Sequence, residues 1–285
     1  HDALTSGYSA LRANAGRDVA LIWLAGLALL LALIGFQVLL AWRMRRALNP
    51  PMAVAAVLTL VLVIGGASSI GAVQAHLKVA KQDAYDSVFA LSQAKAIATD
   101  ANADESRYII DPERAQSYQA AFLEKSLIVA GFKAPGTTIS TYDATLAESL
   151  SAIHSGHGSA LAGYIGAGLG NITFQGESDA ALKTLDAWAK YQVDDRKLRN
   201  LIVSGNMTEG VRFDISSAPQ DSNGAFYAFT GALDTWIKIN RDAFNGAVAR
   251  GGNDISNWQL YAPVGLLVVF ALTFVGLRPR LGEYA

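Results

Sequence analysis

The residues best placed to do chemistry lie in DANADESRY, 100–108. Asp104, Glu105, Arg107 and Tyr108 mix both charge signs with an aromatic ring. A guanidinium can hold a carboxylate through two parallel hydrogen bonds. Arg107, with Asp104 and Tyr108 beside it, is therefore the candidate contact for a small charged ligand. The competing expectation is a helix end on which Arg107 pairs with Asp104 or Asp111. Other clusters offer less. His154 and His157, in HSGH, have metal-ligand spacing but no third ligand nearby, so two exposed loop histidines are expected. Gly166, Gly168 and Gly170 alternate in GAGLG without the strand and helix that a phosphate loop needs, and a flexible turn is expected. Asp194 and Asp195 are adjacent, so on a helix they diverge and cannot act as a carboxylate pair. The run DDRK that they open is expected to be a solvated face. Asn171-Ile172-Thr173 fits a short glycosylation pattern. No catalytic constellation and no cofactor site emerges, so the chain is not expected to be an enzyme.

The elements that must carry these residues begin with three apolar runs. Only 16% of the 285 residues are charged, against about a quarter in soluble domains. Residues 19–42, 51–73 and 258–277 are each long enough to cross a bilayer, which takes roughly 20 mainly apolar residues. Helix is the expected conformation, because in hydrocarbon each backbone amide must bond within its own segment. Trp42, Trp258 and Tyr261 fall where interfacial aromatics belong. Gln37 and the Ser68-Ser69 pair are expected to be helix-packing contacts.

Arginines orient these spans. Arg43, Arg45 and Arg46 crowd the loop at 43–50, and Arg278 and Arg280 follow the third span. Short basic segments beside spans stay in the cytoplasm. Both segments are therefore expected inside, as topology markers and contacts for a cytoplasmic partner. Residues 74–257 are then expected outside, as are residues 1–18, the end of an upstream helical domain. The 74–257 segment carries 16 Lys and Arg against 21 Asp and Glu, a net of −5. The whole chain has a net charge of −1, which argues against nucleic acid as a partner. It has no cysteine, excluding disulfides and thiol chemistry. It starts with His1, which suggests a piece of a longer protein with a fourth span upstream.

The expected fold class is an all-α membrane protein. Its transmembrane helices carry an extracellular antiparallel helical bundle, of the four-helix sensor kind, with a small irregular or β-hairpin insertion. Leu77, Ala80, Ala84, Val88, Leu91, Ala94, Ala98 and Ala101 form one helical stripe, continuing the second span until Asp111-Pro112. Asp111 is the expected N-cap of the next helix, which packs through Tyr118, Phe122 and Leu127. Tyr142, Leu146, Leu150 and Ile153 mark a third helix. The glycine-rich stretch at 155–177 is expected to be a loop or short hairpin. A long helix follows at about 178–203, then a loop. A final helix carries Phe226, Phe229, Leu233, Trp236, Asn240, Phe244 and Ala247 toward the third span. The aromatic residues Trp188, Phe226, Phe229 and Trp236 are expected in the core.

WRMRRALNPP, DANADESRYIIDPERAQSYQAAF and the terminal GLRPRLGEYA resemble actinobacterial multi-pass membrane proteins encoded near a Ser/Thr protein kinase and a glutamine-type solute-binding lipoprotein. The resemblance covers essentially the whole chain. It implies four spans, two helical outer domains and amino-acid sensing. A solute-binding protein outside would report through the membrane protein to a Ser/Thr kinase inside. The chain departs from the pattern by lacking the first span and most of the first outer domain, and no binding residues carry over. The reading is thus a plasma-membrane sensor or signal relay. Its expected partners are the lipid bilayer, the solute-binding protein, the kinase and a second copy in a homodimer. The alternative is a structural or transport-accessory membrane protein without signalling.

Overall fold

A computed structural model describes residues 2–44, 49–132, 136–157 and 160–281. The chain is 87% helix, with no strand among the described residues. Ten α-helices follow in order among the described residues: α1 (Asp2–Met44), α2 (Pro50–Lys78), α3 (Asp86–Ile110), α4 (Ala115–Ala130), α5 (Tyr142–His154), α6 (Gly163–Leu169), α7 (Glu177–Val203), α8 (Met207–Ile215), α9 (Ser222–Ser256) and α10 (Trp258–Leu281). A seven-residue π-helical segment, Val79–Tyr85, joins α2 to α3. The backbone is therefore unbroken helix from Pro50 to Ile110. Three helical stretches, Thr5–Trp42, Pro50–Ile110 and Ser222–Arg278, are long and apolar enough to cross a membrane. Arg45 and Arg46 lie outside the described residues, as do the side chains of Arg43 and Arg280.

The chain divides into two compact units. The first comprises residues 1–80 and 245–285. In it α2 packs against both α1 and α10. Pro50 and Pro51 start α2, where a missing backbone N–H costs nothing. Leu33, Met52, Ala55, Val63 and Val269 are buried. Glycine allows the close approach: a Cβ at Gly26 would stand 2.1 Å from Val63, the small-residue packing that brings spans together. Asn49 Nδ2 donates to Gly276 O at 2.8 Å, tying the start of α2 to the far end of α10. Leu24, Leu31, Leu267 and Phe270 are exposed, as side chains facing hydrocarbon would be.

The second unit, residues 81–244, holds the main core. α3 packs against α4 and α6, and α7 against α5 and α8. Ala90, Ala94, Ala98 and Ala101 give α3 a smooth inner face, buried with Phe122, Tyr142, Leu146, Trp188, Tyr191, Phe229 and Trp236. The rings meet tilted, with Trp188 and Phe229 centroids 4.7 Å apart, a preferred aromatic geometry. Tyr142 donates to Ala130 O at 2.5 Å and accepts from Trp188 Nε1 at 3.0 Å. Helix ends follow local chemistry. α3 stops before Asp111-Pro112, since a residue preceding proline avoids helical geometry. Gly205, at φ 81°, ends α7 in the left-handed conformation.

Several expectations are corrected. The glycine-rich stretch holds α6 and one isolated bridge, Phe132 to Leu161, in place of a loop or hairpin. Glycine suits it because α6 lies close on its neighbours: a Cβ at Gly168 would stand 3.0 Å from Leu91. The stretch after α7 is not all loop but contains α8, whose Phe213 is fully buried. Asp111 does occupy the N-cap of the 3-10 turn Pro112–Arg114, but its carboxylate makes no side-chain capping hydrogen bond and accepts from the Arg114 and Tyr118 side chains.

Candidate functional site

The structure brings Arg107 and Asp104 together but turns Tyr108 away. Arg107 Nη1 donates to Asp104 Oδ1 at 2.7 Å and lies 3.6 Å from Asp100 Oδ1. Lys125, from α4, bonds both Asp104 and Asp100. Two acids and two bases thus form one balanced set. Its members respond as such a set should. The hydrogen bond from Lys125 holds the Asp100 carboxyl below its usual range, and Asp104 raises Arg107. The Arg107 side chain is 49% exposed while that of Asp104 is 3% exposed. A ligand carboxylate approaching Arg107 would therefore meet a cation already neutralised by its own helix. Tyr108 is buried under Arg199, whose guanidinium carbon is 4.4 Å from the ring centroid.

A second charged set is missing from the expectation above. Glu105 is buried, and its oxygens accept from Ser222 Oγ at 2.7 Å, Tyr191 OH at 2.9 Å and Asn102 Nδ2 at 3.3 Å. Burial pushes its carboxyl well above 4.5, and the negative charges of Asp195 and Asp214 add to the rise. Asp195 is also buried, held by Arg199 through two bonds of 2.9 and 2.7 Å. The DDRK run is therefore not a solvated face. Asp194 and Asp195 are buried, and the Arg196 side chain is 17% exposed. The signal was present: Trp188, Tyr191, Gln192, Asp195 and Arg199 follow one helical stripe, which continues inward although its residues turn polar. His154 pairs with Asp186 at 3.0 Å, and the described residues contain no group of three acids or histidines that could hold a metal.

The third set involves the π segment. Asn171, just after α6, donates its side-chain amide to Gln82 O at 2.9 Å, Asp83 O at 3.1 Å and Ser87 Oγ at 2.8 Å. A π segment displaces carbonyls from the α-helical ladder, and Asn171 supplies donors there. The amide is engaged within the fold, which is incompatible with the glycosylation pattern read from Asn171-Ile172-Thr173. Thr173 Oγ1 donates to Asn171 O. Glu177 Oε2 accepts the backbone amides of Thr173 and Phe174 at 2.8 and 3.1 Å. Glu177 Oε1 accepts from Trp236 Nε1 at 3.0 Å and Asn240 Nδ2 at 2.7 Å, both on α9.

A continuous polar path therefore runs from the π segment, through Asn171, Thr173 and Glu177, to α9. No family model, curated protein or solved structure matches this chain. The functional reading rests on these contacts. They form a clasp on the two helices whose continuations are apolar: α3 follows α2 without a break, and α9 is separated from α10 by Asn257 alone.

Proposed function

We propose that the chain is a plasma-membrane signal relay. Residues 74–257 form an extracellular helical sensor of the four-helix-bundle kind. They respond to a solute, such as an amino acid, or to a docked solute-binding protein. The basic segments with Arg43, Arg45, Arg46, Arg278 and Arg280 face the cytoplasm and contact a Ser/Thr kinase. The observation that carries this reading is the clasp on two helices that run on into apolar segments. A small shift in how the clasp holds α3 against α9 is the proposed input to those apolar segments. The π segment is a natural place for such a shift, since π-bulges gather at functional positions. A charged ligand would contact the half-exposed Arg107 only by displacing Asp104 or Asp100 from it.

The cysteine-free chain allows a direct test. A Cβ at Gly251 would stand 3.5 Å from His76 Cβ, within the Cβ separation of disulfides. His76→Cys with Gly251→Cys should therefore lock α2 to α9. Kinase recovered with the membrane protein should respond to added amino acid in the reduced pair and not in the oxidised pair. Equal response in both rejects transmission through these two helices, and no response in either favours a static scaffold.

A further inference from the structure

The first unit contains a cavity of about 370 Å³ between α1, α2 and α10. Its wall includes Ile22, Gly26, Thr59, Gly66, Trp258 and Leu266. The lining is almost entirely apolar. Thr59 spends its hydroxyl proton on Ala55 O at 2.8 Å, and Ser69 sits one turn beyond Gly65, against which Trp258 packs. An apolar cavity of this kind does not hold water. Within a bilayer it is filled by hydrocarbon or by another protein segment.

The extent of the lining decides between them. On α2 the lining runs from Thr59 to Ile70, about 16 Å at 1.5 Å per residue. That is one leaflet of a hydrocarbon core about 30 Å thick. A second spanning helix would need a groove along the full span. One end lies at Trp258, where interfacial aromatics and headgroups belong; the other ends at Thr59, near mid-span.

We propose that this cavity binds the acyl chain of a single bilayer lipid, entering beside Trp258 and ending at Thr59. The site depends on the helices spanning a membrane and is independent of the relay. Its occupant wedges the three helices apart where small residues leave room.

The test uses the full chain in vesicles of phosphatidylethanolamine and phosphatidylglycerol containing a trace of phospholipid with a photoreactive group midway along one acyl chain. After irradiation, adducts at Gly66, Ser69 and Leu266 should exceed those at the exposed Leu31 and Phe270 several-fold. Gly66→Leu has room to project a side chain, since its nearest neighbour is Ile22 at 3.8 Å. It should abolish the excess, and Ala262→Leu should do so independently. Uniform labelling of lining and exposed faces would reduce the cavity to ordinary lipid contact and overturn the proposal. Labelling of the lining below that of Phe270 would mean a protein segment covers it, also overturning it. No adducts on any of the three helices would fail the spanning reading as well.

Discussion

Glu105 has neutral partners on both carboxyl oxygens, and this sets a pH dependence. Its carboxyl is raised above 4.5 by burial and by nearby Asp195 and Asp214. The folded state therefore holds a proton that the unfolded state releases. The stabilisation is complete below about pH 4.5 and is lost as pH rises through the folded value. Asp214, raised by its own burial, adds in the same direction. Asp100 and Asp221, lowered by Lys125 and Arg212, act oppositely and only as pH falls through the acid range. Urea unfolding between about pH 5 and 9 should show stability declining with pH, and Glu105→Gln should flatten that decline. An unchanged slope would remove Glu105 as its source. Tyr142→Phe should cost about 1–3 kcal/mol, because the buried Trp188 N–H loses its acceptor. Asn171→Asp should destabilise more than Asn171→Ala, since a carboxylate would face two carbonyl oxygens. Hydrogen exchange at residues 82–87 reads that difference.

Helices were legible where apolar residues recur at helical spacing and a proline or glycine marks the end. The Ala94–Ala98–Ala101 stripe, Tyr142 to Leu150 and Phe226 to Trp236 are such cases, and each is buried. The reading failed where polar residues continue a stripe, as at Asp195 and Arg199, or where glycine serves packing, as in α6. In neither case does residue type alone reveal the neighbour. The same limit hid the clasp: Asn171 looks like a surface acceptor until Gln82, distant in sequence, is placed beside it. At this scale two tests follow. Gly168→Val should cost about 1–3 kcal/mol by overpacking α6 against Leu91 and Trp236. Gly170→Ala, whose Cβ would meet nothing closer than 3.5 Å, should change thermal stability by less than about 0.5 kcal/mol. A π segment is an α-helix with a local extra residue, so deleting Val79 should leave helicity and melting nearly intact. Deleting Ala98 turns everything beyond it by about 100° and should unfold the second unit. Circular dichroism melts separate the two.

At the scale of the molecule, the three apolar helices are readable because length and hydropathy, which mark a segment able to cross a bilayer, are properties of the sequence itself. The sidedness rests on arginines and is tested in cells. A cysteine replacing Asn206 should react with an impermeant maleimide on intact cells, and one appended after Ala285 should react only after permeabilisation. The reverse pattern sinks the proposed topology. The hydrogen bond from Asn49 to Gly276 bears on how any movement is transmitted. It fastens α10 near one end and leaves the Trp258 end about 27 Å away along the helix, at 1.5 Å per residue. A rod pinned at one end can swing, but it cannot slide without breaking its pin. Asn49 would thus act as a fulcrum: displacement at the Trp258 end becomes tilt, and the arginines past the pivot turn in place.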